Sequence, residues 1–173
     1  MHLNDSRTIQ ATPSVVYAAL LDPDVLKACI AGTQEISGNP DEGYEATVVQ
    51  KVGPVKATFK GKVTMSDMIE AERLTITGEG KGGAAGFAKG SASVSLSPDD
   101  AGGTVLTYDV DAKVGGKLAQ LGSRLIDGFA RKMADQFFAN LQEHLEGPKE
   151  QTEEEPDGEE PKKGWLGRLT GRE

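Results

Sequence analysis

A long amphipathic stretch near the C-terminal end constrains the fold of this chain more than any other feature. The stretch runs from Lys117 to Leu145 and predicts one helix. Its apolar side chains recur every three or four residues: Leu118, Leu121, Leu125, Phe129, Met133, Phe137, Leu141 and Leu145. At 1.5 Å per residue, such a helix would be roughly 40 Å long. Only a curved sheet that wraps along most of this length could cover its apolar side.

Two glycines interrupt the helical pattern. Gly122 and Gly128 each cost about 1 kcal/mol relative to alanine in a helix interior. We therefore expect another backbone or a ligand to come close to the helix at these positions. The plainer explanation is a core helix that tolerates two glycines.

The residues before the helix predict one strand, two short helices and then a series of about six strands. The first strand covers 3–10, Thr12 and Pro13 predict the start of a helix over 14–21, and a second helix follows and stops at Gly32. From Tyr44 onward, apolar and polar residues alternate, which is typical of antiparallel strands with one face in water. The order of elements predicts an α+β protein with a helix-grip fold, in which a curved antiparallel sheet wraps around the long C-terminal helix.

Composition excludes several classes of protein. The 173 residues fit one domain with an appendage, and the single cysteine, Cys29, excludes an internal disulfide framework and fits a reducing compartment. The chain begins with no signal-like apolar run and nowhere has eighteen consecutive apolar residues, so we expect a cytoplasmic protein without a membrane span. A net charge of -8 and an aromatic content of 5% argue against a nucleic-acid partner.

The inward positions of the middle strands carry small residues: Ala57, Gly61, Gly78, Gly80, Ala88, Gly90, Ala92 and Ala112. Such residues cannot bridge the roughly 10 Å between a sheet and the layer packed on it. Because protein interiors are close-packed, either the large side chains of the helix fill the space or an apolar ligand occupies it. The glycines would also let the strands bend around the helix without any ligand. The predicted ligand-binding residues are Phe59, Leu74, Ile76, Phe87, Tyr108, Leu121, Leu125, Phe129 and Met133.

The glycine-rich run from Gly78 to Gly90 is not a nucleotide-binding loop. A strand rather than a helix follows it, so no helix N-terminus is available for a pyrophosphate. Lys81 is followed by Gly82 instead of serine or threonine, so the phosphate-binding loop is absent as well. We interpret the run as a mobile hairpin at the mouth of the pocket, with Phe87 pointing outward to ligand, membrane or partner.

Candidate catalytic and metal-binding residues are few. His2 lies at a terminus that we expect to fray, and His144 lies in the last turn of the long helix, where a solvated histidine complements the helix dipole. Cys29 has no partner histidine or metal-ligand spacing, so we interpret it as a small buried hydrophobe. We expect a protein without enzymatic activity, a metal site or a tightly bound cofactor.

The composition changes abruptly after Leu145. Residues 146–161 carry eight acidic side chains against one lysine and predict a disordered, extended linker. Residues 162–173 are basic, and their apolar side chains share one helical side. Lysine and arginine attract anionic lipid and tryptophan prefers the headgroup region, so the segment favours a transient membrane contact, with docking onto a protein as the alternative. The predicted contact residues are Lys162, Lys163, Trp165, Leu166, Arg168, Leu169 and Arg172.

Four stretches of the sequence resemble the carbon monoxide dehydrogenase G-subunit family. They are 22–30 (DPDVLKACI), 51–63 (KVGPVKATFKGKV), 78–90 (GEGKGGAAGFAKG) and 114–127 (VGGKLAQLGSRLID). The resemblance covers nearly all of residues 1–145, which we predict to be the folded domain. One departure is Ala31, which stands where the motif Cys-Ile-Pro-Gly has proline.

This resemblance implies a START-like, polyketide-cyclase-like protein that encloses a hydrophobic ligand between sheet and helix. It also implies an accessory protein of a molybdenum-containing carbon monoxide dehydrogenase or a related hydroxylase, without molybdenum, iron-sulfur or flavin centres of its own. Such a protein would link the enzyme to the cytoplasmic face of the membrane. Two hypotheses follow: a carrier whose pocket holds a quinone or a lipid, or a pure adaptor whose filled core only presents surfaces. A cyclase-like enzyme is disfavoured because polar groups for acid–base chemistry are missing.

Overall fold

The computed structural model describes residues 1–147 and shows an antiparallel sheet of seven strands with one long helix laid against it. The strands lie in the order β1-β7-β6-β5-β4-β3-β2. Their bounds are β1 (His2–Ile9), β2 (Thr33–Asn39), β3 (Gly43–Val52), β4 (Val55–Ile69), β5 (Arg73–Lys81), β6 (Phe87–Pro98) and β7 (Thr104–Gly115). From β2 to β7 each strand pairs with the next, and β1 closes onto β7. The predicted α+β helix-grip architecture is confirmed.

The helices after β1 also agree with the prediction. Helix α1 (Pro13–Leu21) begins with proline at its first position, where the missing N–H would have no intrahelical partner. Helix α2 (Pro23–Cys29) begins in the same way, and the Asp22 carboxylate accepts a hydrogen bond from the Asp24 N–H at 2.9 Å. Two short 3₁₀ turns lie at Gly83–Ala85 and Gly116–Leu121.

The long C-terminal helix, α3 (Ser123–Glu146), is shorter than predicted. Residues from Lys117 to Leu121 belong to the second 3₁₀ turn, because Gly122 has φ +90° and ψ 154°, a conformation open to glycine but not to a continuing helix. A Cβ added at Gly122 or Gly128 would meet no atom within 4 Å. The prediction that another backbone comes close to the helix at these two glycines is therefore wrong, and the approach of a ligand there stays a prediction.

Strand β2 and the position of His2 are further departures from the sequence prediction. Strand β2 is the edge strand of the sheet, most of its residues are exposed, and a bulge interrupts its pairing between Thr33 and Glu35. An edge strand of this kind has no regular apolar alternation, which is why no strand was predicted before Tyr44. His2 does not fray: it lies in β1 and pairs with Asp111 of β7.

The apolar core occupies one end of the sheet. Leu74, Val94, Leu106 and Tyr108 supply its sheet side, and α1, α2 and the second half of α3 cover them. The hydroxyl of Tyr44 donates a hydrogen bond to the Leu21 carbonyl at 2.5 Å. The Asn140 side-chain amide of α3 donates to the Cys29 carbonyl at the end of α2, at 2.9 Å. These bonds hold the three helices and the sheet in one unit.

No helix in residues 1–147 combines the length and the apolar character needed to cross a lipid bilayer. Residues 148–173 lie outside the described part of the chain. The predicted linker therefore falls almost entirely outside it, and all seven predicted contact residues of the tail do.

Candidate functional site

Cross-strand pairing brings the small inward residues of the sheet side by side. Two adjacent rows cross the middle strands: Gly61, Gly80 and Ala88 form the first row, and Gly78, Gly90 and Ala112 form the second. The side chains beside these rows are partly accessible rather than fully packed. The middle of the inner sheet face is therefore a smooth surface of small residues, next to the core but not part of it.

The glycines of these rows serve two different purposes. A Cβ at Gly90 would lie 2.3 Å from the Asp111 carbonyl oxygen, so the two backbones approach closely and the sheet can bend there. A Cβ at Gly78 would lie 3.5 Å from its nearest neighbour, a methyl group of Val63, and one at Gly80 would lie 3.9 Å from the Cβ of Phe59. These are ordinary contact distances. Gly78 and Gly80 therefore leave space that a side chain could occupy.

The two halves of α3 pack differently against the sheet. Phe138 and Leu141 in the second half are buried, and the Phe138 ring stacks on Tyr108 with the ring centroids 5.1 Å apart. In the first half, Leu125 is 39% exposed. The other apolar side chains there are only partly buried: Ile126, Phe129, Ala130 and Met133. Within residues 1–147, the apolar side of the first half thus lacks a full set of packing partners.

An open cleft of about 490 Å³ runs between the first half of α3 and the end of α2. Its apolar wall contains Cys29, Ile30, Ala31, Phe129, Met133, Ala134 and Phe137. Its polar rim contains Gln50, Lys51, Lys132 and Gln136. A cleft with an apolar wall and a few polar groups at the rim suits an elongated apolar molecule with one polar end.

The structure separates the predicted ligand-binding residues into groups. Phe129 and Met133 line the cleft. Phe59, Ile76 and Leu121 are partly buried.

Leu125 packs against the β3–β4 turn, with Leu125 Cδ2 2.7 Å from the position that a Cβ on Gly53 would take. Phe87 is 39% exposed on the outer face of the sheet.

Leu74 and Tyr108 differ from the rest of the predicted set because both are buried in the core. Side chains packed in this way could touch a ligand only if the core opened. Ligand contact by any of the nine residues stays a prediction.

The loop after α2 was not among the predicted site residues. Cys29, Ile30 and Ala31 reach the cleft because α2 ends beside α3, a long-range contact with no local sequence signal. Burial raises the pKa of the Cys29 thiol, so this sulfur is a neutral part of an apolar wall. Phe137 could have been predicted, since it lies in the apolar pattern of α3.

A small polar cluster lies on the outer face of the sheet, where β1 meets β7. His2 Nδ1 is 3.1 Å from Asp111 Oδ1, and His2 Nε2 is 3.2 Å from Asp109 Oδ1. The hydrogen bond with Asp111 and the charge of Asp109 raise the pKa of His2 above 6.5. These three exposed residues also have the atoms that could hold a cation. The sequence prediction set His2 aside as a metal ligand, because strand pairing alone brings the two aspartates beside it.

The charges of the folded part are separated along the strand direction. In an antiparallel sheet of this order, consecutive turns lie at opposite ends, so every second turn lies at the same end. One end, the acidic end, has exposed carboxylates at the β2–β3 turn and the β4–β5 turn, and near the β6–β7 turn: Asp41, Glu42, Asp67, Glu70, Glu72 and Asp100. The other end, the basic end, has lysines beside the remaining connections: Lys51, Lys56, Lys81, Lys89, Lys113 and Lys117. The first half of α3 lies at the basic end, and the chain leaves α3 at the acidic end.

The architecture is that of the START-like fold class, which solved structures share. A START superfamily protein from Mycobacterium smegmatis matches with a TM-score of 0.62 and 14% identity over 84% of this chain and 97% of that chain. A protein from Thermus thermophilus matches with a TM-score of 0.64 and 14% identity over 87% and 100%. A conserved protein from Geobacillus kaustophilus matches with a TM-score of 0.79 and 27% identity over 84% and 95%.

Within this class, the chain belongs to the carbon monoxide dehydrogenase G-subunit (CoxG) family, whose model matches residues 6–146. The family resemblance expected from the sequence is confirmed. The matched residues include α3 and the cleft beside it, and they exclude residues 147–173. No curated protein sequence matches this chain.

Proposed function

We propose that this protein is a non-catalytic accessory protein of a molybdenum-containing carbon monoxide dehydrogenase or a related hydroxylase. It carries a hydrophobic ligand, such as a quinone or a lipid, and links the enzyme to the inner face of the cell membrane. Membership of the CoxG family supports the accessory role. The cytoplasmic location and the membrane contact through residues 162–173 rest on the composition of the sequence.

The observation that carries the ligand proposal is the open cleft of about 490 Å³ between α3 and the end of α2, with its apolar wall and polar rim. Each Å² of apolar surface removed from water contributes about 25 cal/mol, so an apolar molecule that covers this surface is stabilised there. The rim groups of Gln50, Lys132 and Gln136 could bond a polar end, such as a quinone carbonyl or a lipid headgroup. A carrier needs such a site to be open to exchange, and this cleft is open.

A test of the ligand proposal fills the cleft from the α2 side. Ala31→Leu should occupy part of it, because Ala31 lies in the cleft wall and is exposed. Ala28→Leu is the matched control, since Ala28 is exposed on α2 and lies outside the cleft wall. Native mass spectrometry of the purified full chain, followed by lipid extraction, would show what co-purifies. Titration with a soluble short-chain quinone would measure uptake.

The wild type and Ala28→Leu should bind the quinone or co-purify with a lipid, and Ala31→Leu should bind less. Circular dichroism would establish that both variants are folded. Equal uptake by a folded Ala31→Leu variant would overturn this placement of the ligand. If the wild type takes up neither molecule, the alternative proposal holds: a pure recruitment adaptor that needs no ligand. The packed core around Leu74 and Tyr108 favours that alternative, because part of the predicted pocket is filled by protein.

A further inference from the structure

The β4–β5 turn displays two neighbouring apolar side chains to solvent. Met68 is 38% exposed and Ile69 is 41% exposed. The strand register shifts between Ser66 and Ile69, and Asp67 and Ala71 have φ values of 50° and 63°. Left-handed conformations at residues other than glycine cost about 1–3 kcal/mol each and are kept when something compensates. This bulged turn therefore presents apolar side chains that a plain hairpin would not.

Carboxylates outnumber cations around these two side chains: within 67–73 the one cation is Arg73, the cross-strand partner of Ile69. Asp67, Glu70 and Glu72 are exposed within the same turn, and in residues 1–147 no ion pair is made by any of the three. We call Asp67, Met68, Ile69, Glu70 and Glu72 the turn patch. The neighbouring turns at this end of the sheet add more negative charge. A segment that covers the turn patch must offer both apolar side chains and positive charges.

We propose that the turn patch is the docking surface for residues 162–173 of the same chain. This segment has three apolar side chains, Trp165, Leu166 and Leu169, together with lysines and arginines and one acidic residue, Glu173. The apolar side chains would cover Met68 and Ile69, and the cationic side chains would face the carboxylates. The contact is an alternative to the membrane contact of the same residues, and it does not depend on a ligand in the cleft.

The chain can reach the turn patch easily. Helix α3 ends at Glu146, whose carboxylate accepts a hydrogen bond from the Gln10 N–H at 2.8 Å, beside the start of β7. The β4–β5 turn lies at the same end of the sheet, three strand spacings from β7, or about 15 Å. Residues 148–161 could span up to roughly 48 Å when extended. Extended, residues 148–161 are therefore about three times longer than the distance from β7 to the β4–β5 turn.

Other surfaces of the chain match residues 162–173 less well. The acidic residues of 146–161 offer charge but almost no apolar surface. Phe87 and Leu125 are exposed apolar side chains, but both lie at the basic end, where lysines repel a basic segment. Val15 is exposed as well, but it is the one large apolar side chain that α1 exposes. The turn patch offers exposed neighbouring apolar side chains and carboxylates in one place.

The chain contains one tryptophan, Trp165, so its fluorescence reports on this segment alone. In the full chain, without lipid, Trp165 should emit at shorter wavelength and be quenched less by acrylamide than in a synthetic peptide of 162–173. Glu70→Lys combined with Glu72→Lys should move both values to those of the peptide, as should Met68→Ser combined with Ile69→Ser. The control is Asp41→Lys combined with Glu42→Lys, the same charge change at the β2–β3 turn, which should leave both values near wild type.

A charge exchange keeps the test decisive if one variant folds poorly. Lys162→Glu with Lys163→Glu should release the segment, and adding Glu70→Lys with Glu72→Lys should restore the wild-type emission. Both values should stay constant on dilution, because the contact is within one chain. Emission equal to that of the peptide, or unchanged by the turn-patch variants, would overturn the proposal. A shift that disappears on dilution would show docking onto a second copy and would also overturn it. None of these outcomes bears on ligand uptake by the cleft.

Discussion

His2 connects two strands through a charge that depends on pH. It lies between Asp111 and Asp109 of β7, which raise its pKa above 6.5 in the folded protein. Because the folded pKa is higher than the unfolded one, protonated His2 favours the folded state. This contribution is fully present below the unfolded pKa and is lost as the pH rises through the folded pKa.

We expect an NMR titration of the His2 ring to show a midpoint above 6.5, the ordinary value for histidine. Asp111→Asn should lower the midpoint, because it removes the first cause of the raised pKa. The stabilisation by His2 should be lost as the pH rises from about 6.5 through the folded pKa, and His2→Gln should remove that part of the pH dependence of the melting temperature. A midpoint at or below the ordinary value would contradict the geometry of this cluster.

Gly122 and Gly128 should respond to alanine in opposite ways. Gly122→Ala forces a side chain into a conformation with φ +90° and should destabilise the protein by about 1–3 kcal/mol. Gly128 lies inside α3 with nothing within 4 Å of an added Cβ, so Gly128→Ala should stabilise it by about 1 kcal/mol. Denaturant unfolding of both variants measures the difference. The same sign for both would mean that the break between the 3₁₀ turn and α3 is wrongly placed.

At the level of elements, α3 has an anchored half and an accessible half. Leu141 is fully buried in the core, so Leu141→Ala should cost about 2–5 kcal/mol of unfolding free energy. Leu125 is already 39% exposed, so Leu125→Ala should cost about 1 kcal/mol. The matched pair uses the same substitution in the same helix. Equal losses in denaturant unfolding would show that the first half is packed as firmly as the second.

The elements that the sequence predicted are those whose local pattern matches their environment. Strands β3 to β7 alternate because one face meets the helices and the other meets water. The start of α3 was missed because Leu118 and Leu121 continue the apolar spacing through a 3₁₀ turn, and only the backbone of Gly122 reveals the break. The part of the cleft wall on α3 could be predicted from the apolar pattern of that helix, whereas the small sheet residues do not line the cleft. The loop after α2 could not be predicted, because its contact with α3 is long-range.

At the level of the whole molecule, residues 162–173 should control binding to anionic lipid. Their removal should weaken co-sedimentation with vesicles that contain phosphatidylglycerol, while the fold of the remaining chain should persist. Binding of the full chain should fall as salt rises, because charges are screened beyond about 8 Å at physiological ionic strength. Vesicles of phosphatidylcholine alone are the control. Equal sedimentation of the full and shortened chains would leave a protein partner as the better account of this segment.

The charge separation of the folded part was not predicted from the sequence. Lysines and carboxylates alternate along the chain at intervals that look mixed, with Lys56 and Asp67 on the same strand. Only antiparallel pairing gathers alternate turns at one end and separates them from the others. The family and the fold could be predicted, because both depend on local patterns repeated along most of the chain.

This separation gives residues 1–147 a dipole moment that lies roughly parallel to the strands. A dipole near a charged surface experiences a torque before any contact forms. The protein therefore approaches such a surface in a preferred orientation. An anionic surface would turn the basic end forward, and the first half of α3 with its open cleft lies at that end. The acidic end, with the last turn of α3, would then face away from the surface. Orientation during approach is thus a property of the fold itself, present even though the chain as a whole is negatively charged.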